Sequence, residues 1–143
     1  MRSHNLQLID VMALILICRV ILMFVWIYQG LIPKLMILHP DEMRLNEAVG
    51  IPADLRVSVA YLAGYFEIAL GVAIAVFWKH CWPLWGSIIM MVIFLIGVIL
   101  YAPEFLEGAF NPIVSNIPVI GLSVIALQLQ KNRESEVNLT WKR

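Results

Sequence analysis

Four apolar runs constrain what this chain can fold into more than any other feature. They cover about residues 8–32, 57–78, 82–101 and 112–129. A helix needs roughly 20 apolar residues to cross the hydrocarbon core of a bilayer, and each run reaches or approaches that length. Hydrophobic residues make up 62% of the 143-residue chain, against about 45–50% in soluble domains. The expected fold class is all-α, an integral membrane four-helix bundle forming one domain over residues 1–143.

The connections sharpen this reading. The first run carries an internal Arg19, is long, and lacks an Ala-x-Ala site, so it reads as an uncleaved span rather than a signal peptide. Pro33 to Arg56 is the longest polar connection. Within it, Pro40-Asp41-Glu42 suits the first turn of a helix, and Gly50 suits its end. A short amphipathic helix on the membrane surface is expected there, with Met43, Ala48 and Val49 as its apolar face. Lys79-His80-Cys81 is so short that the second and third spans should be antiparallel neighbours. Asn111-Pro112 reads as a cap plus a first-turn proline opening the fourth span.

Several function classes fall away. Formal net charge is zero, so no basic field attracts nucleic acid. Cys18 and Cys81 form no CxxC, which supports neither a disulfide framework nor a zinc site. His4, His39 and His80 lie outside the apolar runs, so no histidine pair is expected to hold haem iron, and no metal is assigned. Cys18 reads as core packing.

Loop charges set the expected orientation. Arg2, Lys79, Lys131, Arg133, Lys142 and Arg143 fall on one side, and Lys34, Arg44 and Arg56 on the other. Both termini should then face the cytoplasm. Trp26, Tyr28, Tyr61 and Tyr101 should lie toward the outer interface, and Trp78, Trp82 and Trp85 toward the inner one. Asn138-Leu139-Thr140 matches a glycosylation acceptor but sits on the expected cytoplasmic side.

Arg19 and Glu67 are the charges that need explaining. Counted from the starts of their runs, both fall near the bilayer midplane, where a lone charge costs at least about 2.5–3.5 kcal/mol. Pairing them would remove much of that penalty. Ala60, Gly64 and Gly71 share a stripe with Glu67 and allow close approach, so this stripe is expected to pack on the Arg19–Trp26–Gly30 stripe. The pair would be either a structural lock or the lining of a polar pocket. Asn116 would bond backbone freed by Pro118 or face that pair. Gln29, Lys34, His39, Asp41 and Glu42 gather by sequence at the outer mouth, as solvated loop residues or as a group for cation binding or proton transfer. The candidate pocket set is Arg19, Trp26, Gln29, Lys34, His39, Asp41, Glu42, Glu67, Asn111 and Asn116.

These residues carry a resemblance. Arg19, the run Trp26-Ile27-Tyr28-Gln29-Gly30-Leu31-Ile32-Pro33-Lys34-Leu35 and His39-Pro40-Asp41-Glu42 resemble the DoxX-like membrane proteins of bacteria. Gly64-x-x-Glu67-x-x-x-Gly71 and Phe110-Asn111-Pro112 with Asn116 are similar too. The resemblance implies a four-helix bundle in the inner membrane. Related proteins are subunits of a thiosulfate:quinone oxidoreductase or partners in membrane redox stress responses. With no self-sufficient redox motif in the chain, the expected function is an accessory or ligand-binding subunit with an outward-opening pocket for a quinone or another amphiphile. The rivals are a quinone-linked oxidoreductase subunit and a structural interaction protein. The expected partners are the lipid bilayer, a membrane redox subunit and a second copy of the chain.

Overall fold

The computed structural model describes the backbone of residues 2–108 and 111–141 and the side chains of 10–108 and 111–135. Phe110, Lys142 and Arg143, and the side chains of Arg2, His4 and Asn138, lie outside the described residues. The elements are α1 (Arg2–Gln29), a π-helical segment (Gly30–Met36), α2 (Pro40–Ala48), α3 (Arg56–Val76), α4 (Trp82–Tyr101), a 3₁₀ turn (Pro103–Leu106) and α5 (Pro112–Trp141). The chain is 85% helical, with no strand among the described residues.

Four of these helical stretches are long and apolar enough to cross a membrane: Asp10–Met36, Arg56–Val76, Trp82–Tyr101 and Pro112–Ser135. Their outward faces support the same conclusion. Leu16, Phe24, Leu62, Leu100 and Val114 are between 62% and 71% exposed. Soluble proteins rarely show contiguous apolar surface beyond a few hundred Å², whereas a lipid-facing bundle requires it.

The first span does not stop at Pro33. Proline removes an amide donor and pushes on the carbonyl one turn back. The helix widens instead, and the Ile37 amide donates to the Ile32 carbonyl at 3.0 Å, a π-type step. Leu38, at φ 51°, then turns the chain away. Pro40 opens α2 as foreseen, Asp41 and Glu42 occupy its first turn, and Gly50 ends it at φ 84°. Of the expected apolar face, Met43 and Ala48 are half-buried, and α2 also buries a polar residue. Val49 is exposed, while Asn46 is buried and donates to the Arg56 carbonyl at 3.1 Å. Asn46 thereby ties α2 to the first turn of α3.

The helices close into a ring in which α3 packs on α1, α1 on α5 and α5 on α4. The α3–α4 contact that the short turn suggested exists but is lighter. Small residues decide this. A Cβ on Gly64 would meet the Gly30 carbonyl at 2.9 Å, and one on Gly71 would meet Ile27 Cγ1 at 2.8 Å. The small-residue stripe of α3 therefore lies against α1, as expected. Leu22, Trp26, Ile74, Leu84, Met91 and Ala126 fill the interior.

Candidate functional site

The Arg19–Glu67 pair does not form. Arg19 Nη1 donates to the Ile74 carbonyl, and Nη2 to the His80 carbonyl and to Gln130 Oε1, all at 2.7 Å. Gln130 is held in turn by donating to the Lys79 carbonyl at 2.7 Å. The physical reason lies at the end of α3. The last carbonyls of a helix have no partner within it, and a cation there also meets the negative end of the helix dipole. The antiparallel register brings Arg19 level with Ile74, seven residues beyond Glu67 on α3. At 1.5 Å per residue that separates the two by about 10 Å along the helix. Measuring depth from the start of each run concealed this offset.

Glu67 pairs with Lys34 instead. Lys34 Nζ lies 2.8 Å from Glu42 Oε1 and 3.2 Å from Glu67 Oε1. In sequence Lys34 reads as a loop charge, but the π-helical continuation carries it inward, where its residue is 8% exposed. One ammonium thus serves two carboxyl groups, one from α2 and one from α3. Glu67 Oε2 is buried without any hydrogen-bond partner among the described residues.

Glu67 also belongs to the lining of a cavity of about 250 Å³, together with Trp26, Gln29, Lys34, Glu42, Phe94, Ser115 and Asn116. Six of the ten residues chosen from sequence are brought together here. His39, Asp41, Asn111 and Arg19 are not among them. His39 caps α2, its Nδ1 accepting from the Asp41 amide at 3.3 Å. Asp41 is exposed, with Arg44 at 3.7 Å. Asn111 caps α5, its Oδ1 accepting from the Val114 amide at 3.0 Å. Asn116 is half-buried and faces the cavity that holds Glu67 rather than bonding freed backbone; its Oδ1 accepts from Ser115 at 3.3 Å.

Trp26 is not an interfacial anchor. It is fully buried, and its Nε1 donates to Ser87 Oγ at 2.9 Å. Ser123 Oγ lies 3.0 Å from Ser87 Oγ and 2.8 Å from the Val119 carbonyl. Each hydroxyl has one proton, so a chain from Trp26 through Ser87 and Ser123 to Val119 satisfies every member. Neither serine was singled out in the sequence, although each interrupts a run of large apolar residues. Among the described residues, no group of three His, Cys, Asp or Glu side chains is placed to hold a metal ion.

Fold and surface define a multi-pass membrane protein built as a four-helix bundle. Within that class, the family model described as the DoxX-like family matches residues 23–124. The chain belongs to the DoxX-like family. No curated protein and no solved structure matches it.

Proposed function

We propose that this protein is an accessory or ligand-binding subunit of the bacterial cytoplasmic membrane. In this reading both termini are inside, and the α2-end cavity opens outward and takes the polar head of an amphiphile. The reading rests on one observation: Glu67, which lines the cavity, has a buried Oε2 with no donor among the described residues. A buried acceptor left unmade costs about 1–3 kcal/mol, so the site favours a ligand bearing a hydroxyl. The volume of about 250 Å³ lies just below the 300–1,000 Å³ usual for drug-sized ligands. It suits a ring headgroup whose tail lies in lipid.

A quinol head, the reduced form of a quinone, fits this chemistry best. One quinol hydroxyl donates to Glu67 Oε2, and the oxygen of the other accepts from the side-chain amide of Gln29 or Asn116. Trp26 and Phe94 supply aromatic walls on the same cavity. The protein binds and orients the head, and a membrane partner subunit carries any redox step. Mass spectrometry of small molecules retained after gentle purification tests this, together with titration of a short-chain soluble quinol. Retention of a quinol, with Glu67→Leu weakening binding roughly tenfold, supports the proposal. Absence of quinol binding, or binding indifferent to Glu67, contradicts it.

A further inference from the structure

The opposite end of the bundle holds a second cavity, of about 390 Å³, between α1, α3 and α5. Its lining includes Met12, Leu16, Arg19, Ala75, Trp78 and Arg133. Arg19 is 2% exposed, and its Nε has no hydrogen-bond partner among the described residues. The three acceptors it does reach are neutral, and none of the ion pairs among the described residues includes it. A guanidinium stays charged in a protein, and buried charges are ordinarily paired. Arg19 thus lines this cavity as a buried cation whose bonds among the described residues are all to neutral groups. The rim carries more positive charge: the Arg133 guanidinium lies 5.6 Å and Lys79 Nζ 5.5 Å from the Trp78 ring centre. Indole beside basic side chains is the usual furniture of a membrane interface, and basic clusters there attract anionic lipid.

We propose that this cavity binds an anionic phospholipid, its phosphate between Arg19 and Arg133 and an acyl chain along Met12 and Leu16. The apolar walls select this source over free phosphate, which gains nothing from them and loses its hydration. Guanidinium pairs well with phosphate oxygens, through two parallel N–H donors where geometry allows.

Native mass spectrometry of the full-length protein, purified with mixed phosphatidylglycerol and phosphatidylcholine, tests the site. Arg19 supports the fold, so the variants are Arg133→Gln, which removes one charge, and Ala75→Trp, which fills the cavity from an exposed position on α3. One phosphatidylglycerol should be retained in preference to phosphatidylcholine. Each variant should weaken that retention roughly tenfold, the scale of one charge-assisted bond, while melting as a folded protein. Equal retention of both lipids, retention unchanged in both variants, or displacement of the lipid by millimolar inorganic phosphate would each overturn the proposal.

Discussion

A single side chain decides how Trp26 is read. In sequence it sits among aromatics that suit an interfacial belt, yet its indole N–H is spent inside the bundle on Ser87. The structure gives that serine a second neighbour, Ser123, on α5. Trp26 thus ties α1 to α4, and through Ser123 to α5, by one chain of hydrogen bonds. Trp26→Phe keeps most of the apolar contact and removes the donor. It should destabilise the detergent-solubilised protein by about 1–3 kcal/mol, the cost of leaving a buried polar group unmade. Ser87→Ala should cost less in the Trp26→Phe background than in the native chain, since only the bond to Ser123 is then left to lose. Thermal melts of the two single variants and the double variant read this directly. Independent, additive losses would show that the indole and the hydroxyl do not meet.

At the scale of elements, what was legible followed from local rules. Apolar length located the four spans, proline and acids located the start of α2, and Asn111-Pro112 located the start of α5. The small-residue stripe of α3 was readable because close approach needs residues without bulk. What escaped was register. Sequence tells which face of a helix is sticky, but not how far one helix slides along another. That slide put Arg19 beside the end of α3 and handed Glu67 to Lys34. The π-helical passage through Pro33 escaped for a related reason, because proline usually signals an end and here signals a widening.

The glycines make this testable. A Cβ on Gly64 would stand 2.9 Å from the Gly30 carbonyl, whereas one on Gly97 of α4 would have nothing within 4 Å. Gly64→Val should lower thermal stability sharply by forcing α1 and α3 apart. Gly97→Ala should be neutral or stabilising by up to about 1 kcal/mol, the helix-propensity difference. Equal effects at both sites would contradict the packing of α3 on α1.

At the scale of the whole molecule, the bundle has two polar ends with different chemistry. One end holds a lysine shared by two acids, and the other an arginine whose bonds among the described residues are all to neutral groups. Orientation is measured by single-cysteine labelling in intact cells, in a background lacking Cys18 and Cys81. Glu104→Cys should be reached by a membrane-impermeant reagent and Ser135→Cys should not. Labelling at position 135 from outside would reverse the proposed topology and place the Glu67 cavity on the cytoplasmic face.

The separation of the two centres is the central claim, and a pair of double-mutant cycles measures it. Breaking a buried ion pair by removing one partner costs about 3–5 kcal/mol, while removing both can be nearly neutral. Distant sites without shared partners add to within about 0.5 kcal/mol. Unfolding free energies should therefore be measured for Lys34→Met, Glu67→Leu and Arg19→Met, and for the Lys34/Glu67 and Arg19/Glu67 double variants. The Lys34/Glu67 double variant should recover much of the loss of its single variants, and the Arg19/Glu67 losses should add. Recovery in the Arg19/Glu67 cycle, with additivity in the Lys34/Glu67 cycle, would contradict the register of α1 on α3 and the two-centre arrangement built on it.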